Sequence, residues 1–149
     1  MDKEFEFVNP SQAEIFDYLR KAKVIAVVGL SNREKTASNM VARMIQSKGY
    51  RVIPVNPKLA GGELLGETVY ASILDIPFHI DIVDVFRRSD FLADTAREFI
   101  KTDAEVFWAQ LGLQSEEAEE VLRSAGRDKI VMNRCLKVEY ENGKLAKEL

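Results

Sequence analysis

Six residues suited to holding phosphate crowd into the ten positions Gly29–Ser38, within the segment VIAVVGLSNREKTASN that runs from Val24 to Asn39. Gly29 lets the backbone turn tightly and admits a ligand close to the chain. Ser31, Thr36 and Ser38 offer hydroxyl donors, Arg33 and Lys35 add positive charge, and the first N–H groups of a following helix favour an anion. This is a plausible diphosphate cradle. Its alternative is a solvated turn that ends in a Thr or Ser helix cap. A G-x-G-x-x-G loop would place its second and third glycines where this chain has Ser31 and Glu34, so only the first glycine of that fingerprint is present.

Other candidate groups follow later apolar runs. After Val52–Val55 come Asn56 and Pro57, where a nicotinamide-binding unit usually carries an acid for the ribose hydroxyls. The amide can still bond a base or ribose, and an ordinary Asn-Pro turn remains the alternative. At the end of Ile80–Phe86 come Phe86, a potential apolar wall, and then Arg87 and Arg88, of which one is expected to face a ligand. Gln110 and Gly112 follow Val106–Ala109, and Gly112 again permits close approach. Trp108 reads as core packing and Cys135 as a small buried residue rather than a reactive thiol. His79 precedes the run at Ile80 and reads as a loop residue at the opposite edge from these candidates. Asp81 and Asp84 have no partner base implied by their spacing. No Ser-His-Asp set, P-loop or metal-ligand spacing is found, one Cys with one His cannot form a zinc cage, and no metal site is expected. No catalytic constellation emerges.

These candidates need elements to position them. Val24–Val28, Val52–Val55, Ile80–Phe86, Val106–Ala109 and Ile130–Met132 are short and rich in Val, Ile and Phe, as strands buried on both faces should be, and Thr68–Tyr70 is a weaker extended piece. Between them lie helical patterns. Asn9 is expected to cap the first, with Pro10 in its first turn. The second carries Met40, Val41, Met44 and Ile45 and stops at Gly49, the third begins at Ser89, and the fourth runs from Ser115 to Gly126. The alternation predicts an α/β, Rossmann-like, doubly wound parallel sheet in a three-layer α/β/α sandwich. The expected strand order is 3-2-1-4-5-6, with ligands at the carboxyl ends of the strands beside the reversal.

The chain of 149 residues is expected to form one domain, 1–149, with 1–23 as an N-terminal helix region and 141–149 as a tail. A net charge of −3 gives no broad basic surface for nucleic acid. No apolar run approaches the ~20 residues of a membrane span, and MDKEFEFVNP lacks the apolar core of a signal peptide, so a cytoplasmic location is expected.

The succession VVGLS, Ser38, GYRVIPVNP, LGETVYASILDIP, DIVDVFRR, WAQLG and MNRC closely resembles the small bacterial CoA-binding proteins, single-domain relatives of the CoA-binding domain of succinyl-CoA synthetase. The resemblance covers about Val24 to Tyr140. It implies coenzyme A as ligand, with no established reaction. By that resemblance Gly29, Leu30, Ser31 and Ser38 meet the diphosphate, while Val55, Asn56 and Pro57 line the adenosine side. Phe86 and Arg87 flank the pantetheine path, and Gln110 and Gly112 close the far side. One departure stands out: Asn32, Glu34 and Thr36 occupy places where family loops often carry prolines and an arginine, with Arg33 and Lys35 beside them to supply charge. The expected function is therefore binding of CoA or acyl-CoA without catalysis, as a carrier, sensor or partner subunit whose protein partner is unknown. The alternative is an NAD(P)-dependent oxidoreductase or another adenine-nucleotide module.

Overall fold

The computed structural model describes residues 5–145. In chain order its elements are α1 (Gln12–Lys21), β1 (Val24–Val28), α2 (Ala37–Ser47), β2 (Arg51–Val55), β3 (Glu63–Leu64), β4 (Glu67–Thr68), β5 (Ile82–Val85), α3 (Leu92–Phe99), β6 (Val106–Ala109), α4 (Glu116–Ser124), β7 (Ile130–Val131) and α5 (Leu136–Leu145). The main sheet has five strands in the order β2-β1-β5-β6-β7, all pairs parallel. Its strands are buried along almost their whole length. That is why they read as continuous apolar runs rather than as an alternation of apolar and polar residues.

Two apolar layers cover the two faces. One joins Ile15 and Leu19 of α1, Ala42 and Ile45 of α2 and Leu136 and Tyr140 of α5 to Ile25, Val27, Ile82 and Trp108 of the sheet. The other joins Leu92, Ala96 and Phe99 of α3 and Ala118 and Leu122 of α4 to Ala26, Val28, Val83, Val85 and Phe107. The expected three layers are present.

The expected third strand, Thr68–Tyr70, is the main correction to the strand order. Thr68 pairs antiparallel with Glu63 in the small β3-β4 hairpin, and only Tyr70 reaches the main sheet, as a single parallel bridge to Val55. The position beside β2 is the one expected, but only one residue takes it, since the preceding Val69 pairs with Gly61 and Gly62 at the open end of the β3-β4 hairpin. The first helix also starts later than expected. Ser11 is its cap, in a reciprocal box with Glu14, so Pro10 lies outside the helix. The Asn9 amide instead donates to the Met132 carbonyl at 2.9 Å and accepts from the Met132 N–H at 3.0 Å, tying the N-terminal segment to the end of β7. Ser89 opens a short 3-10 turn before α3 rather than α3 itself. α2 and α4 end as expected, with Gly49 and Gly126 at φ 104° and 76°. α5 was not anticipated as a helix.

Candidate functional site

The strand order reverses between β1 and β5, and the segments after those strands meet at its carboxyl edge. Gly29 turns the chain out of β1 with φ 87°, and its N–H donates to the Val55 carbonyl at 2.8 Å. A Cβ at Gly29 would lie 2.6 Å from the Phe86 carbonyl oxygen, so what approaches this glycine is the backbone after β5. The turn thus locks the ends of β1, β2 and β5 to one another. Leu30 is fully buried in the α1/α2/α5 layer and leaves only its backbone at the edge.

The loop that follows is held from below by two residues that the sequence did not single out. Asn39, itself buried, donates to the Ser31 carbonyl at 2.8 Å and accepts from Arg43 Nε at 2.6 Å, while Arg43 Nη2 donates to the Glu34 carbonyl at 2.8 Å. Their i, i+4 spacing on α2 is the signal that could have found them. The Ser38 hydroxyl accepts from the Ser31 N–H at 3.0 Å, and the Ser31 hydroxyl accepts from the Arg33 N–H at 3.0 Å. Thr36 caps α2, and its hydroxyl donates to the Arg33 carbonyl at 2.7 Å. Among the described residues the N–H groups of Ala37 and Ser38 meet no acceptor, and Arg33 and Lys35 are exposed and in no ion pair. A helix N-terminus with two unengaged N–H groups and two cations on the loop before it can hold an anion.

At the end of β2, Val55 is buried and Pro57 opens a 3-10 turn. Asn56 donates through its amide to the Leu30 carbonyl at 3.0 Å and accepts from the Lys58 N–H at 2.9 Å. The amide thus stitches the β2 turn to the glycine turn while its oxygen closes the turn locally, and the Asn56 backbone is engaged too, its N–H by the Tyr70 carbonyl and its carbonyl by the Leu59 N–H.

Beside this loop lies a cavity of about 420 Å³ lined by Ala37, Val41, Phe86, Arg87, Arg88, Gln110, Leu111, Leu113 and Cys135. Apolar side chains from α2 and from the turns after β5 and β6 make most of its wall. Both arginines line it, where only one was expected. Arg87 donates to Thr95 Oγ1 at 3.2 Å and stacks 4.8 Å from the Phe91 ring centroid, and Arg88 pairs with Asp90 at 3.0 Å. Gln110 is buried and accepts from the Leu136 N–H at 3.1 Å, so it caps the start of α5. Gly112, at φ 87°, bonds Asn133 Oδ1 at 2.7 Å in an exposed turn and is not part of the cavity wall. Cys135 is half-buried at the cavity wall rather than enclosed in the core. Trp108 is core as expected, fully buried and donating to the Arg134 carbonyl at 2.9 Å.

Asp84, for which the sequence implied no partner base, lies beneath this edge. Asp84 on β5 is fully buried and neither carboxylate oxygen has a hydrogen-bond partner. Burial pushes its carboxyl well above the usual carboxylate range, which favours the neutral acid.

A parallel sheet with a glycine turn, a helix N-terminus and an apolar cavity converging at its switch point is a Rossmann-like ligand-binding domain. The chain belongs to the CoA-binding domain family, whose model, described as "CoA binding domain", matches residues 23–141. It is 49% identical over 132 residues to uncharacterized protein YneT of Bacillus subtilis (strain 168), covering 89% of this chain and 96% of that protein. It is 30% identical over 83 residues to the ADP-forming acetate–CoA ligase I of Archaeoglobus fulgidus, a match covering 56% of this chain but only 12% of the ligase. Among solved structures, cell-free ID.343 from Thermus thermophilus superposes with a TM-score of 0.85 at 38% identity, covering 89% of this chain and 98% of the other. No helix among the described residues is long and apolar enough to cross a membrane.

Proposed function

We propose that this protein is a single cytoplasmic domain that binds coenzyme A or an acyl-CoA and carries out no reaction of its own. The observation that carries the reading is the adjacency, at one sheet edge, of the Ala37 and Ser38 N–H groups to a mostly apolar cavity, in a chain of the CoA-binding domain family. A CoA molecule has these two parts in sequence: a diphosphate and a long, weakly polar pantetheine arm. The diphosphate sits at the Gly29–Ser38 turn with Arg33 and Lys35 beside it. The adenosine lies toward Val55, Asn56 and Pro57, and the pantetheine arm passes Phe86 and Arg87 into the cavity, where Gln110 and Cys135 border its sulfur end.

The oxidoreductase alternative is less well supported. The β2 end carries Asn56 in place of the ribose-binding acid, and that side chain is already committed to Leu30 and Lys58. Thermal melting with CoA, dephospho-CoA, ADP and NAD tests the reading, because a ligand of the folded state stabilises it by RT ln(1 + [L]/Kd). The largest rise is expected with CoA. Equal shifts with CoA and ADP would refute a pantetheine site, and a shift with NAD alone would refute the CoA reading altogether.

A further inference from the structure

At the opposite, amino edge of the sheet the fold gathers residues that lie far apart in the chain. His79 Nε2 is 3.4 Å from Asp81 Oδ1 and 3.3 Å from Glu105 Oε1. All three atoms fall within 4.8 Å of one another. Tetrahedral zinc, with bonds of about 2.0–2.1 Å to nitrogen and oxygen, sets neighbouring ligand atoms about 3.3–3.4 Å apart. The two distances from the imidazole are already those of a tetrahedral edge. We propose that His79 Nε2, Asp81 Oδ1 and Glu105 Oε1 form a binding site for one Zn²⁺ ion, independent of the CoA site.

The surroundings prepare each ligand. The other imidazole nitrogen, Nδ1, faces Asp103 Oδ1 at 3.2 Å, the carboxylate–histidine arrangement that fixes the tautomer and presents the Nε2 lone pair to a metal. Asp81 Oδ2 accepts from the N–H groups of Lys23 and Val24, each at 2.9 Å, so this carboxylate is held by the entrance to β1 and its Oδ1 is the oxygen left over. Glu105 is fixed through its backbone, whose N–H donates to the Ile80 carbonyl at 3.3 Å. Three carboxylates and the ammonium of Lys129, 3.5 Å from Glu105 Oε2, leave a local charge of about two negatives around the imidazole, the complement of a divalent cation that would take the place of the imidazole's proton. The side chains of His79, Asp81 and Glu105 are 44%, 21% and 48% exposed, so the fourth tetrahedral position opens to water. An ion there would join the segments preceding β5 and β6. The site differs from a cage of thiolates and imidazoles, which one Cys and one His cannot make.

The test uses the chelator-treated full chain titrated with Co²⁺, followed by visible absorption, with Zn²⁺ as competitor. One saturable equivalent of Co²⁺ with tetrahedral-type bands, displaced by Zn²⁺, is expected. His79→Gln and Glu105→Gln should each weaken binding by about tenfold or more, while the melting shift with CoA persists. Glu105 is half-exposed, so its variant keeps the test decisive if His79→Gln folds poorly. Binding only at millimolar Co²⁺, binding unchanged in both variants, or binding abolished by Cys135→Ser instead would overturn the proposal.

Discussion

Gly29→Ala should destabilise the protein through two separable effects. The first is conformational: at φ 87° an L-residue sits in the left-handed region, at a cost of roughly 1–2 kcal/mol. The second is steric. The new Cβ would stand 2.6 Å from the Phe86 carbonyl oxygen and 3.2 Å from its carbon, so backbone must move, and such overpacking costs about 1–3 kcal/mol. Alanine restricts the unfolded chain and returns about 0.4–1 kcal/mol. The net loss is then about 1–4.5 kcal/mol, and with a urea m-value of roughly 2 kcal/mol/M the midpoint falls by about 0.5–2 M. Gly126→Ala supplies the comparison, since Gly126 has φ 76° and nothing within 4 Å of an added Cβ. It shares only the conformational term. Urea denaturation of the two variants beside the parent reads the difference directly. Equal midpoints for Gly29→Ala and Gly126→Ala would refute the view that the β1 turn is clamped against the backbone after β5.

Three further outcomes are expected. Asp84 has its carboxyl pKa raised in the folded state, so its neutral form stabilises the fold fully below the unfolded value of 3.8, and that contribution is lost as pH rises toward the folded value. Asp84→Asn should therefore gain on the parent by about 1.4 kcal/mol per pH unit through that window, and denaturation at several pH values showing a constant difference would contradict it. Arg33→Ala combined with Lys35→Ala should weaken CoA more than tenfold, since charge-assisted bonds contribute about 1.5–3 kcal/mol each, and calorimetry giving an unchanged Kd would remove both from the phosphate site. Asn39→Ala removes the bond to the Ser31 carbonyl and the partner of Arg43 Nε, and should lower stability by about 1–3 kcal/mol as well as loosen the loop. Hydrogen exchange across Ser31–Lys35 indistinguishable from the parent would show that Asn39 does not hold it.

Much of this architecture was legible from local chemistry. The apolar runs beginning at Val24, Val52, Val106 and Ile130 became parallel strands because burial on both faces demands such runs, and Ser115, Gly49 and Gly126 mark helix ends through their own conformational preferences. The reversal of strand order was also expected from the alternation of elements, and it falls between β1 and β5. The glycine turn was found for a reason that the structure revises: its close neighbour is Phe86 rather than open ligand space.

What the sequence by itself determined is what depends on residues a few positions apart: periodicity, caps, turns, and hence the succession of strands and helices. Tertiary structure decided whatever depends on which distant groups compete for one partner. Asn9 and Ser11 are both good caps, and Ser11 holds α1 because Asn9 is engaged by Met132, whose place beside it only the finished sheet fixes. Asn56 is spent on Leu30, Asp84 is left without a partner, and Cys135 comes to a cavity wall for the same reason. His79 and Glu105 lie in separate loops and meet only because β5 and β6 pair in register, which brings their amino ends, and the carboxylates there, within reach of one imidazole.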